Sequence, residues 1–244
     1  MKYQQPYQKL AKFYDVIYSD EFYHKYAIFI KELIEENRIR KPFILDIACG
    51  TGKLIHQLQK YIKDLSIEGL DSSRQMLKIA RAKNKKVKYY NQTLTSFRTD
   101  KKYNIITCVF DSINYLTEIE DLDKAFKNVY DHLKDNRLFI FDFNTTYHRG
   151  LPKIIKKGRV SGYDVIYHNT FKGNYWDLVI EIKRGKKAYK EHHRERLYTL
   201  KEIKSVLKKN RLKIIKIQAN LNNGERKIDK LSRLFVVARK INRK

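Results

Sequence analysis

Ile44-Leu45-Asp46-Ile47-Ala48-Cys49-Gly50-Thr51-Gly52-Lys53 is the stretch on which the reading of this chain turns. An apolar, β-branched run ends in a turn of small residues, and an amphipathic segment over 52–62 follows it. Glycine at 50 and 52 allows a tight strand-to-helix turn and lets a ligand come close to the backbone. In an open α/β sheet such a turn lies at the carboxyl end of the first strand, where ligands bind. Asp71 ends the next apolar run, Ile67-Glu68-Gly69-Leu70-Asp71. A carboxylate there accepts hydrogen bonds from both hydroxyls of a ribose.

Outward from this pair of runs, strand-like and helix-like segments alternate. Strands are expected at 43–48, 67–71, 87–91, 104–110 and 137–143, with helices at about 52–62, 73–84 and 118–134. The last helix carries Leu122, Phe126, Val129 and Leu133 on one face and opens with a Thr117/Glu120 capping box. Upstream, 21–38 shows a helical apolar stripe through Phe22, Tyr26, Phe29, Ile30 and Leu33. Alternation of this kind implies βαβ units and a doubly wound, mostly parallel sheet. After residue 144 the rhythm breaks. Segments 160–168, 175–184 and 188–198 read as three successive strands, hence as an antiparallel insertion, with Trp176 in its core. The α/β pattern resumes with a Thr199/Glu202 capping box, a helix to about Lys209, and two strands in 211–218 and 232–240. The fold class is therefore α/β with a seven-stranded Rossmann-like sheet and a small inserted antiparallel sheet.

A dinucleotide is excluded by detail. The G-x-G-x-x-G fingerprint needs a third glycine for close helix packing, and Ile55 stands there; Ala48 prevents a shifted register. Asp46 just before the turn repels a pyrophosphate and suits a ligand bearing an amino group and a sulfonium.

The sequence L-D-I-A-C-G-T-G-K followed by G-L-D-S-S-R-Q-M-L closely resembles the first two motifs of class I S-adenosylmethionine-dependent methyltransferases. Phe13-Tyr14-Asp15 with Tyr18 resembles the aromatic N-terminal lid of their small-molecule members. Residues 108–116 resemble the fourth-strand motif, 138–142 the fifth strand, and the insertion resembles that of the glycine and amino-sugar N-methyltransferase subgroup. The resemblance implies a cofactor, S-adenosyl-L-methionine, bordered by Tyr14, Asp46, Ala48, Gly50, Gly52, Ser72 and Phe110. Asp71 would hold its ribose and Met76 would pack near adenine. Gln92-Thr93 stands where the family commonly has an acidic residue for the adenine amino group. Asp135-Asn136 replaces the usual glycine turn before the fifth strand, a mild change because asparagine tolerates positive φ. The implied layout is a single methyltransferase domain over 1–244: a helical lid over 1–40, a core over 41–147 and 199–244, and the sheet of 148–198 over the acceptor site.

Composition sets the remaining bounds. Hydrophobic residues make up 42% and aromatics 13% of 244 residues, enough for a packed core. No apolar run approaches the ~20 residues that span a bilayer, and the N-terminus has no apolar secretory stretch; a cytoplasmic protein is expected. The two cysteines, Cys49 and Cys108, form no CxxC pair, so neither a disulfide framework nor a metal site is indicated. Cys108 lies within an apolar strand and reads as core packing rather than as a nucleophile. The 53 Lys+Arg against 27 Asp+Glu give a net charge of +26, which would attract a polyanion. The basic residues are spread along the chain, so decoration of solvated faces accounts for them as well as an RNA-binding surface does. Methyl transfer from a sulfonium needs mainly orientation and exclusion of water, with a base only for a protonated nucleophile. The expected reaction is transfer to a small-molecule acceptor, an amine in the favoured case, with Tyr14, Asn114, Tyr115 and His192 as catalytic candidates. RNA methylation, and cofactor binding without catalysis, are the alternatives.

Overall fold

A computed structural model describes residues 6–219, 221 and 231–242. The parts of the expected lid and core at 1–5, 220, 222–230 and 243–244 lie outside the described residues. A 3-10 turn at Ala11–Phe13 leads into the short helix α1 (Tyr14–Ile17) and then α2 (Glu21–Glu36). Next come β1 (Phe43–Ile47), α3 (Lys53–Tyr61), β2 (Ser66–Asp71), α4 (Arg74–Lys83), β3 (Lys88–Asn91), β4 (Tyr103–Cys108), α5 (Ile119–His132) and β5 (Leu133–Asn144). Four strands follow, β6 (Ile154–Val160), β7 (Tyr163–Lys172), β8 (Tyr175–Arg184) and β9 (Lys187–Arg196), then α6 (Leu200–Lys209), β10 (Leu212–Gln218) and β11 (Arg233–Lys240).

The main sheet has seven strands in the order β10-β11-β5-β4-β1-β2-β3. Its pairs are parallel except those of β11, which runs antiparallel to both β5 and β10. Alternation along the strands divides the core between two faces. Ile44, Ile67, Ile105 and Leu138 pack with α2, α3 and α4. Leu45, Ile47, Ile106 and Phe139 pack with α5 and α6. The second sheet, β6-β7-β8-β9, is antiparallel throughout. It packs Trp176, Leu178 and Ile180 against Leu10, Phe13 and Ile17 of the N-terminal segment.

The inserted sheet has four strands where the sequence pattern suggested three. Segment 160–168 is not one strand: Ser161 and Gly162, at φ 49° and 82°, turn the chain between β6 and β7. Ser-Gly is a turn dipeptide, and the flanking apolar residues masked it. At 199 the capping box forms, Thr199 Oγ1 accepting from Glu202 N at 3.2 Å and Glu202 Oε2 accepting from Thr199 N at 2.8 Å. At 117 it does not, because α5 begins one residue later with Glu118 as N-cap and no side-chain cap. Asn136 takes φ 58° in the turn before the apolar part of β5. No helix among the described residues is long and apolar enough to cross a membrane.

The two sheets and α2 meet at a polar cluster around Arg233. Its guanidinium donates to Asp111 Oδ2 at 2.6 Å and to Asn144 Oδ1 at 3.1 Å, and lies 3.2 Å from Asp142 Oδ2. Tyr26 of α2 donates to Asp142 Oδ1 at 2.5 Å, and Asn144 Nδ2 reaches Asp111 at 2.5 Å and Glu195 of β9 at 3.4 Å. Burial pushes the Asp142 carboxyl up to about 6, with Arg233 pulling it back, and holds Glu195 well above the usual carboxylate range. Removing the one cation leaves three buried acids facing each other. Arg233→Leu is therefore expected to cost about 2–4 kcal/mol at pH 8. Acid should narrow the deficit. Carboxyls with raised folded pKa values bind protons in the native state first, so lowering the pH relieves their repulsion. Urea unfolding across pH 5–8 checks this; a deficit independent of pH would contradict it.

Candidate functional site

The turn after β1 sits over a cavity of about 710 Å³ at the carboxyl ends of β1, β2 and β4. Gly50 holds φ 54°, and nothing lies within 4 Å of where a Cβ would stand, so bare backbone faces the open space. Asp71 fixes that turn: its carboxylate accepts from Gly50 N and from Ser73 N, both at 2.8 Å. Burial raises the Asp71 pKa while those backbone N–H groups hold it back. Each oxygen keeps a further lone pair for a ligand hydroxyl. Ser73 caps α4 by accepting from Met76 N at 3.3 Å, which sets the Met76 side chain into the cavity wall.

Beyond Asp71 the cavity runs along Gln92, Thr93 and Leu94. Both ends of the Gln92 amide are spent on Arg98, accepting from its N–H at 2.7 Å and donating to its carbonyl at 3.3 Å. Thr93 keeps its hydroxyl at the wall, within 2.7 Å of Ser96 Oγ. On the other side Phe110 and Asp111, at φ 61° and 50°, form a left-handed pair just after β4. Two successive non-glycine residues in that region are strained, and the Arg233 cluster holds Asp111 in place through its backbone N–H (to Asp142, 3.0 Å) and its carboxylate. This turns the Phe110 ring against Tyr18 and Tyr23, with centroids at 5.1 and 5.5 Å.

The roof is the segment from Pro6 to Tyr18. It is latched to the glycine turn: Thr51 Oγ1 donates to Asp15 at 2.6 Å, Lys83 pairs with Asp15, and Lys53 Nζ reaches Tyr18 O and Asp20 at 2.6 Å each. It is also tied to the inserted sheet, because Glu191 of β9 accepts from the backbone N–H of Tyr7, of Lys9 (2.8 Å) and of Leu10 (3.2 Å). Tyr7 and Tyr115 line the cavity with their hydroxyls 3.2 Å apart. Behind Tyr115, His193 Nδ1 lies 2.9 Å from its hydroxyl.

Of the residues singled out from the sequence, Tyr14, Ala48, Gly50, Asp71, Ser72, Met76, Gln92, Thr93, Phe110, Tyr115 and His192 line this one cavity. Three stand elsewhere. Asp46 is buried beneath the turn, accepting from Thr107 Oγ1 at 2.7 Å. Gly52, at φ 77°, starts α3 and faces a separate polar cavity on the outer side of the turn. Asn114 spends its side chain on backbone, donating to Asn144 O and Arg196 O and accepting from Asn144 N. His192 is at the rim, Nε2 2.9 Å from Asp177, and its neighbour His193 is fully buried. Both cysteines are buried, with thiols pushed up by burial and by nearby carboxylates. Tyr7 and Glu191 escaped the sequence reading; for the His192-His193 pair, alternation sends one ring towards the cleft without saying which, and it is His193 that is buried. Period-two spacing of Glu191, His193 and Glu195 was the available signal, since it puts all three on one strand face; polar side chains on that face read as solvated.

Desolvation raises the Asp46 carboxyl to about 7, with the Thr107 hydroxyl opposing. An unfolded aspartate titrates near ~4. Between those values the native state holds the extra proton, so stability falls as pH rises from 4 to 7 and the penalty is constant above. Asp46→Asn should thus stabilise the ligand-free protein by about 1–3 kcal/mol at pH 8, with the gain gone by pH 4. Denaturation of both proteins at the two pH values measures it, and an equal difference at both would refute the assignment.

Residues 44–136 match the family model described as a methyltransferase domain. A relative from Geobacillus sp. (strain WCH70) is 32% identical over 146 residues, and that match spans 58% of either chain. An uncharacterized protein of Methanocaldococcus jannaschii is 30% identical over 217 residues, 86% of this chain and 75% of the relative. A Streptomyces fradiae protein named dTDP-3-amino-3,6-dideoxy-alpha-D-glucopyranose N,N-dimethyltransferase is 25% identical over 202 residues, 78% of each chain. Among solved structures, an S-adenosylmethionine-dependent methyltransferase from Clostridium acetobutylicum superimposes with a TM-score of 0.84 at 29% identity, covering 97% of this chain and 99% of that one.

Proposed function

The chain belongs to the class I S-adenosylmethionine-dependent methyltransferases, and we propose that it methylates an amine on a small molecule enclosed in the 710 Å³ cavity. The observation that carries this reading is that Asp71 and Gly50 at one end, and Tyr7 and Tyr115 at the other, line one cavity roofed by residues of the chain itself. The Streptomyces fradiae relative, named for an amino sugar, supports an amine as the attacked group.

The residues fit the cofactor. Open space over Gly50 leaves room for a ligand against the backbone. Asp71 has lone pairs for two ribose hydroxyls, and Met76 and Leu94 offer apolar contact to a base. When bound, S-adenosylmethionine supplies an electrophilic methyl group on a sulfonium. The chain's part is then orientation and dryness. Phe110 and Tyr14 shape the wall at the reacting end, and their rings stabilise a nearby cation through their faces. The roof of residues 6–18 acts as a lid that excludes water, and the sheet of 148–198 closes the acceptor end. Ordering acceptor and methyl donor in one cavity removes most of the entropic cost of their encounter.

Two measurements test the reading. Asp71→Ala should weaken S-adenosylmethionine binding by about 1.5–3 kcal/mol through lost charge-assisted hydrogen bonds; calorimetry finding full affinity would remove the ribose role. Radiolabelled methyl transfer to a low-molecular-weight cell extract should change little between low and moderate salt, because a small acceptor releases far fewer counterions on binding than a polyanion does. Transfer to RNA would instead fall about tenfold or more over that range. Salt-sensitive incorporation into RNA, with none into the small-molecule fraction, would overturn the choice of acceptor.

A further inference from the structure

The least explained group in the molecule is His193. It is fully buried in a sheet whose exposed face would have held it at lower cost, and it stands behind the cavity wall, against Tyr115 and Tyr7. Nδ1 lies 2.9 Å from Tyr115 Oη. Nε2 lies 3.3 Å from Glu191 Oε1, an ion-pair distance without hydrogen-bond alignment. The Tyr7 ring packs on the imidazole at 4.8 Å between centroids, and Tyr7 Oη is 3.2 Å from Tyr115 Oη. On β8 the residue opposite His193 is Leu178, and Glu195 is the next acid along the same face of β9. The charged and titratable groups around the imidazole are therefore Glu191, Glu195, Tyr115 and Tyr7.

We propose that Tyr115 accepts the proton of the acceptor's ammonium and passes its own hydroxyl proton to His193, which Glu191 holds in the tautomer able to take it. Tyr115 is the catalytic residue in this scheme, and His193 and Glu191 are positioning residues behind it. The inference rests on the amine reading above. An amine that enters as R–NH3+ has no lone pair for attack, so one proton must leave first. That proton goes to Tyr115 Oη as the Oη–H bond breaks towards His193 Nδ1. The imidazolium so formed lies against the Glu191 carboxylate, and charge is conserved.

The tautomer follows from the partners. The Glu191 carboxylate 3.3 Å from Nε2 makes no aligned hydrogen bond there, but its negative charge favours the ring proton on that nitrogen and leaves the Nδ1 lone pair to Tyr115. Burial works to raise the Glu191 pKa, but His193 and the backbone N–H groups of Lys9 and Leu10 outweigh it and hold it below the usual range, so the carboxylate is ionised. The same carboxylate accepts from three N–H groups of the roof segment. Closing the roof and fixing His193 are thus one event. A proton acceptor would be assembled only when the cavity is shut against water.

The test uses the full chain saturated with S-adenosylhomocysteine and labelled at histidine with ¹⁵N, with His193→Gln identifying the resonance. The expected result is a His193 ring that is protonated on Nε2 and bare on Nδ1 at pH 8, with the Nδ1 shift moving in Tyr115→Phe. A proton on Nδ1, or no response to Tyr115→Phe, overturns the relay without any acceptor being needed. The second arm uses dTDP-3-amino-3,6-dideoxyglucose as the acceptor probe. His193→Gln and Tyr115→Phe should each lower kcat about 100-fold near neutral pH, with KM little changed. The deficit should shrink to a few-fold as pH rises towards the amine's own pKa. A loss equal at every pH marks a structural role and overturns the proposal. Two variants are used because His193→Gln alone could disturb folding, whereas Tyr115→Phe keeps the ring and removes only the hydroxyl. If wild type fails to methylate the probe, the reading of the acceptor fails in that arm, and the resonance arm still decides the relay.

Discussion

Arg233 lies on the one strand of the main sheet that runs against the others, and its guanidinium is the cation shared by Asp111, Asp142 and, through Asn144, Glu195. Each acid belongs to a different part of the molecule: the turn after β4, the strand β5 and the inserted strand β9. Tyr26 adds α2 through Asp142. One charge thus sets the angle between the main sheet, the inserted sheet and the helix that follows the roof. It also fixes the left-handed turn at Phe110 and Asp111, whose strain would otherwise relax by moving the Phe110 ring. Buried ion pairs contribute little net stability compared with apolar packing, but breaking one is costly. Here the cost enforces geometry at the wall of the cavity.

A second economy joins the roof to the chemistry. Residues 6–18 pack on both layers: Ala11 and Tyr14 join the apolar cluster of the main sheet and α2–α4, while Leu10, Phe13 and Ile17 rest on the inserted sheet. Their polar anchors are Asp15 and Asp20 on the glycine turn and Glu191 on β9. These ionic and hydrogen-bonded anchors add to that packing, and under the proposed reading the segment opens for ligands and shuts again. Asp46 belongs to the same logic. A carboxyl buried beneath the turn, its pKa raised to about 7 by burial, weakens the empty fold once it ionises.

The main sheet and the Gly50–Asp71 end of the cavity were legible in the sequence because they rest on local rules. Alternation fixed the β1–β5 strands, and glycine at a positive-φ turn with an acid at the next strand end located Gly50 and Asp71. Asp46 and Gly52 stand beside the turn in sequence, but the strand pleat sends Asp46 underneath it and the turn sends Gly52 to the outer side, so neither lines the cavity with Gly50 and Asp71. Asn114 looked like a polar group for substrate, and its amide in fact closes backbone bonds between β5 and β9. The Tyr7–Tyr115 end was barely legible. Glu191-His192-His193 is polar throughout, so nothing in the pattern tells which face is inside. Only the packing of Leu10 and Phe13 on the inserted sheet decides it, and that contact spans more than 150 residues of chain. Reading 160–168 as one strand failed for the converse reason, a two-residue turn hidden between apolar neighbours, and it left β6 unread.

A crystal structure of the protein with S-adenosylhomocysteine measures the central claim directly, since it locates the sulfur against the two ends of the cavity. The account predicts the ribose hydroxyls on Asp71, the base along Thr93 and Leu94, and the sulfur facing a closed space bounded by Tyr7, Tyr115 and Phe110. A sulfur directed away from those tyrosines, onto an open basic surface, would contradict it.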